Sequence, residues 1–142
     1  MVDRELVLRR VAALDVYLGQ LAEARQVEPA AYTNDWRAQR ILERTFHLAI
    51  EVCMDLADHI IADRALPVPG TAAEAFLVLA REGIVNGDLA NALARMVGFR
   101  NLLVHDYLRL DPRRVLELAT TGVADVEQFR DRVLQLVTRP PA

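Results

Sequence analysis

The stretch Arg100-Asn101-Leu102-Leu103-Val104-His105-Asp106-Tyr107 sets a guanidinium, an amide, an imidazole and a phenol close together in the chain. An arginine fork can hold two phosphate oxygens at once. An imidazole carries protons near neutral pH. Arg100 and His105 are therefore candidates for a phosphate ligand and a proton carrier, and Asn101 for a supporting polar group. The same region is locally basic. Residues 95–114 hold five arginines against Asp106 and Asp111, a local charge of +3 in a chain whose net charge is -3. A basic patch on an acidic body is compatible with phosphate binding, and Arg109, Arg113 and Arg114 are its further candidate ligands.

These residues need a rigid support, and the spacing predicts a helix opening at Asn86-Gly87-Asp88 and running to about Leu110. Positions 89, 93, 96, 100, 103, 107 and 110 follow the 4-3 spacing of a core-facing seam. They read Leu89, Leu93, Met96, Arg100, Leu103, Tyr107 and Leu110, so Arg100 and Tyr107 are the polar anomalies on an apolar stripe. A charge there demands a partner or a cleft. Asn101, His105 and Arg109 follow at i, i+4 and i+8, so on an unbroken helix they stack beside the seam.

The other segments also read as helices. One spans residue 3 to about 26, capped by Asp3. Residues 26–33, with Pro29, form a connection. Asn34 or Asp35 caps a helix running to about Arg64. Its stripe is Leu42, Phe46, Ala49, Cys53, Leu56 and Ile60, widened by Ile50, Met54 and Ile61. An apolar surface of that width makes the helix central in its domain or shared with another subunit. Thr71 and Glu74 form a capping box for a short helix ended by Gly83. Asp111-Pro112 restarts a helix. Thr120-Thr121-Gly122 reads as a turn before a last helix from Asp125 to about Thr138, and the Pro140-Pro141 tail as frayed. The expected fold is all-α, an antiparallel up-and-down bundle of four principal helices with short extra helices, in one domain over residues 1–142.

Composition narrows the function classes. Aromatic residues are 6% of a chain that is 53% hydrophobic, so its core is aliphatic. Cys53 is the single cysteine, which excludes an intrachain disulfide or a cysteine-rich metal site. No apolar run reaches membrane-spanning length and no signal segment is visible, so a cytoplasmic protein is expected. Glu43, His47, Glu51 and Asp55 recur at i+4 steps, with Asp58 and His59 beyond. They lack the paired Glu-x-x-His spacing of a di-metal bundle, and read as a solvated face with Arg40 and Arg44 as ion-pair partners. No metal and no cofactor is expected.

The pattern R-x4-H-x-Y, carried by Arg100, His105 and Tyr107, resembles the signature of HEPN-superfamily ribonucleases, and within them the HepT-like toxin branch. The likeness extends to residues 43–61, which are similar to the family's long second helix, and to residues 96–112, similar to its motif helix and exit. It spans roughly Arg4 to Leu136. The resemblance implies a homodimeric bundle that cuts RNA without a metal, leaving a 2′,3′-cyclic phosphate and a 5′-hydroxyl. Arg100 and His105 would be catalytic and Asn101 supporting. It also implies an MntA-type nucleotidyltransferase antitoxin that adds AMP to Tyr107. Seam geometry alone would have Tyr107 fill the space between Leu103 and Leu110. One motif offers one histidine where the reaction wants an acid and a base, which suits a two-fold dimer. The competing class is a catalytically silent helical module that binds the nucleotidyltransferase or a nucleotide.

Overall fold

The computed structural model describes residues 3–138; the Pro140-Pro141 tail and the side chain of Tyr107 lie outside that description. Four long helices carry the architecture: α1 (Arg4–Ala24), α3 (Trp36–Asp63), α5 (Gly87–His105) and α6 (Pro112–Thr138). Two short ones join them, α2 (Pro29–Thr33) and α4 (Ala72–Arg81), and a 3₁₀ turn (Tyr107–Arg109) links α5 to α6. No strand occurs among the described residues, and none of their helices is long and apolar enough to cross a membrane.

Local chemistry explains most helix starts. The carboxylate of Asp3 accepts from Leu6 N, that of Asp35 from Arg37 N and Ala38 N, and Asn86 Oδ1 from Leu89 N. Thr71 Oγ1 accepts from Glu74 N at 3.2 Å, while Glu74 reaches back to Gly70 N at 2.9 Å. Each cap satisfies a donor the first helical turn cannot. At the far end of α4 the chain reverses through Gly83 at φ +72°, with Ile84 N bonded to Leu79 O at 2.9 Å. The connection expected over residues 26–33 contains the extra helix α2, because Pro29 opens a helix turn as readily as it breaks one.

Helix α3 is the centre of the bundle and packs against each of the other five helices. Most of its widened apolar surface is consumed within the chain: Ile50 and Ile61 are buried with Phe46, Cys53 and Leu56, and Met54 is partly buried against the same core. Burying a side chain of this size contributes about 1.5–3 kcal/mol. Of the two expected roles for α3, the central one holds.

Two sequence expectations fail. The turn at Thr120-Thr121-Gly122 does not form, and α6 is continuous from Pro112 to Thr138. The threonine hydroxyls are satisfied inside the helix, Thr120 Oγ1 on Leu116 O at 2.7 Å and Thr121 Oγ1 on Glu117 O at 3.1 Å. Gly122 serves packing instead. A Cβ there would lie 3.1 Å from Phe46 Cζ and 3.4 Å from Met96 Sδ. Gly122→Val should therefore lose about 1–3 kcal/mol through overpacking. Gly122→Ala should change less, because better helix propensity offsets the crowding by about 1 kcal/mol. Thermal melting checks this, and a valine variant as stable as wild type would refute the close approach.

The second failure concerns α5, which stops at His105 instead of running to Leu110. Asp106 leaves helical geometry at φ -140°, ψ 42° after its N–H closes on Leu102 O at 2.9 Å. Pro112 disfavours a helical residue before it, so Asp111 must act as the cap of α6, and it accepts from Arg113 N at 3.1 Å. The chain needs a reversal between two long helices, and the 3₁₀ turn provides it, with Arg109 N on Asp106 O at 3.0 Å.

Candidate functional site

Arg100 leaves α5 toward α3 and meets Glu51. Its Nε donates to Glu51 Oε1 at 2.5 Å, and Nη2 contacts the same oxygen. Its Nη1 donates to Asn101 Oδ1 at 3.0 Å. The charge anomalous on the apolar seam thus finds its partner on the stripe that reads from sequence as solvated. Beside this pair Phe46 of α3 packs against Phe99 of α5, ring centroids 5.6 Å apart. That contact fixes the two helices around Arg100.

Glu51 has a second donor. His47 lies one turn earlier on α3, with Nε2 at 3.1 Å from Glu51 Oε1. The other ring nitrogen, Nδ1, sits 3.4 Å from Arg44 Nη1. Burial pushes the Glu51 carboxyl up, but hydrogen bonds from Arg100 and His47, with their charges, outweigh it and hold it below the usual carboxylate range. The rest of the stripe is also engaged. Glu43 pairs with Arg40, and Asp55 accepts from Arg10 Nε at 2.6 Å. The stripe is a solvated face only in part: Arg40 pairs with Glu43 within α3 as expected and Asp58 is exposed, whereas Glu51 and Asp55 meet Arg100 of α5 and Arg10 of α1. Among the described residues, no group of three or more His, Cys, Asp or Glu is gathered as metal ligands would be.

His105 is different in kind. It is the last residue of α5, exposed, and its side chain makes no hydrogen bond among the described residues. Of the three imidazoles on α3 and α5, His47 has both nitrogens occupied, His59 faces Asp55 at 3.6 Å, and the side chain of His105 has no partner among the described residues. His105 is thus exposed beside the Arg100 region with its ring unengaged among the described residues.

The break after His105 alters the expected alignment of the arginines. Arg109 belongs to the 3₁₀ turn, so it does not stack beside Asn101 and His105; it pairs at 3.4 Å with Asp106. Arg109 and Arg114 border a cavity of about 490 Å³ between α3, α5 and α6, with Phe46, Met96 and Phe99 on its wall. Arg95 borders it too, a residue not singled out from sequence. Arg113 is exposed and does not line this cavity. The backbone of Tyr107 opens the 3₁₀ turn two residues after His105. Glu51 and His47 are the site members that motif reading missed. The available signal was the unmatched charge of Arg100 on its seam.

Comparison with known proteins gives the family. The family model described as ribonuclease HepT-like matches residues 14–133. An mRNA nuclease HepT from Shewanella oneidensis is 25% identical over 127 residues, covering 89% of this chain and 95% of the relative. A tRNA nuclease HepT from Aphanizomenon flos-aquae is 29% identical over 114 residues, covering 80% of this chain and 78% of the relative. Among solved structures, a tri-AMPylated Shewanella oneidensis HEPN toxin in complex with MNT antitoxin superposes with a TM-score of 0.85. It is 26% identical, over 96% of this chain and 99% of that one. The model match runs from within α1 to within α6 and takes in both helices that frame Arg100, and the chain belongs to the HepT-like ribonuclease family.

Proposed function

We propose that this protein is the toxin of a toxin–antitoxin pair and an RNA endonuclease that needs no metal. The observation that carries the reading is the contrast along the last turns of α5: an arginine oriented by neighbours, and five residues later an exposed imidazole with no partner among the described residues. In the reaction the 2′-hydroxyl of one nucleotide attacks its own 3′-phosphate. His105 takes or gives a proton, and Arg100 holds the non-bridging oxygens as negative charge accumulates. The P–O5′ bond breaks, leaving a 2′,3′-cyclic phosphate and a 5′-hydroxyl. Asn101 supports Arg100 through its side-chain carbonyl. Arg109, Arg113 and Arg114 extend the positive surface that would carry the RNA backbone.

The active form in this reading is a cytoplasmic homodimer in which two motif helices line one cleft, each bringing one His105. Exposed Leu102 and Val104 within the motif and Leu108 just after it favour an apolar contact there. Neutralisation follows the relative named as tri-AMPylated and bound to an MNT antitoxin. A nucleotidyltransferase of that type would add AMP to Tyr107. The test is purified protein incubated with RNA in EDTA, with light scattering on the same sample. Cleavage with cyclic-phosphate ends by a dimer is expected. Intact RNA in EDTA, or full activity from a strict monomer, would overturn the mechanism or the dimer respectively.

A further inference from the structure

We infer that Glu51 is a positioning residue of the nuclease site, holding the Arg100 guanidinium by one edge so that the opposite edge is presented to a phosphate. The inference rests on the nuclease reading above and adds a residue that lies 49 positions before the motif arginine.

A guanidinium has five N–H groups in one plane. Nε and Nη2 form one edge, and both meet Glu51 Oε1. One Nη1 hydrogen goes to Asn101 Oδ1. What remains is one hydrogen on Nη1 and one on Nη2, the two nitrogens of the outer edge. That edge is the fork that grips two oxygens of a phosphate. Glu51 and Asn101 together leave one hydrogen on each nitrogen of this edge for a phosphate.

Glu51 is itself kept from turning away. His47 donates to, or accepts from, its surroundings at both ring nitrogens, Glu51 on one side and Arg44 on the other. The string Arg44, His47, Glu51, Arg100 crosses from α3 to α5 beside the Phe46–Phe99 contact. A plain interhelical ion pair would need none of this directionality. A phosphate ligand does, because an error of about 1 Å in its placement costs roughly a hundredfold in rate.

The experiment compares Glu51→Ala, Glu51→Gln and Glu51→Asp with wild type by RNA cleavage and thermal melting. If Glu51 positions Arg100, Glu51→Ala lowers kcat by about ten- to a hundredfold with KM nearly unchanged. Glu51→Gln keeps an acceptor oxygen in place and recovers part of that loss. Glu51→Asp keeps the charge but withdraws the oxygen by one methylene, so it also loses kcat while staying folded. Should Glu51→Ala not fold, the Asp variant decides alone. Folded Glu51→Asp or Glu51→Ala protein that cuts at the wild-type rate, or a loss confined to KM, overturns the positioning role and leaves the nuclease reading intact. Wild-type protein inert toward RNA overturns the nuclease reading, and this assignment with it.

Discussion

RNA cleavage falls by a factor of about 10² to 10⁴ in His105→Ala, the range for loss of a positioned proton carrier, with the fold retained. Arg100→Ala is expected to lose about 10² to 10³, the range for one charge-stabilising donor. The two substitutions leave different environments behind. His105 is exposed at the end of α5 and its side chain has no hydrogen bond to lose among the described residues, so its removal should barely move the melting temperature. Arg100 is more enclosed, and its loss strips Glu51 of its main partner. His47 still faces Glu51 at 3.1 Å, however, so the carboxylate is not stranded. Single-turnover rates, read beside thermal melts, separate the two effects. Either variant cutting RNA like wild type would mean that the assigned chemistry is wrong.

The parts of this molecule that were legible in its sequence are those decided by neighbouring residues. Asp3, Asp35, Thr71, Asn86 and Asp111 cap helices because each side chain needs only backbone N–H groups two or three positions on. Gly83 is equally local, since its positive φ is what a reversal after α4 requires. Arg100, Asn101 and His105 could be read for the same reason, as near neighbours on one helix. Where tertiary context decides, the sequence misleads. Leu103 and Leu110 continue the seam of α5, yet the reversal into α6 ends the helix between them. Gly122 after two threonines has the composition of a turn, yet Phe46 and Met96 claim the space of its missing Cβ. Glu51 has no local mark that sets it apart from Glu43 or Asp55. Its role appears only when α3 is laid beside α5. The one clue was on the other helix, in a seam arginine that physical chemistry forbids without a partner.

Co-expression with the cognate nucleotidyltransferase is expected to add one or more AMP units to the wild-type chain and none to Tyr107→Phe. In that step the phenol oxygen attacks the α-phosphate of ATP, a P–O bond forms, and pyrophosphate leaves; phenylalanine offers no oxygen. The inhibitory effect follows from where residue 107 lies. It opens the 3₁₀ turn two residues after His105, in the same turn as Arg109. Each AMP brings a phosphodiester charge and a nucleotide's bulk to the region proposed to bind RNA phosphate. The added group competes with substrate for the arginines and repels the RNA backbone, and the helices need not unfold for activity to stop. Tyr107→Phe should therefore keep most of its cleavage and escape silencing, so cells carrying both it and the partner enzyme stop growing while cells with the wild-type pair do not. Intact-mass spectra decide the chemistry and growth curves the consequence. An AMP-sized increment that persists in Tyr107→Phe, or a wild-type chain silenced with no increment at all, would move the control away from this residue.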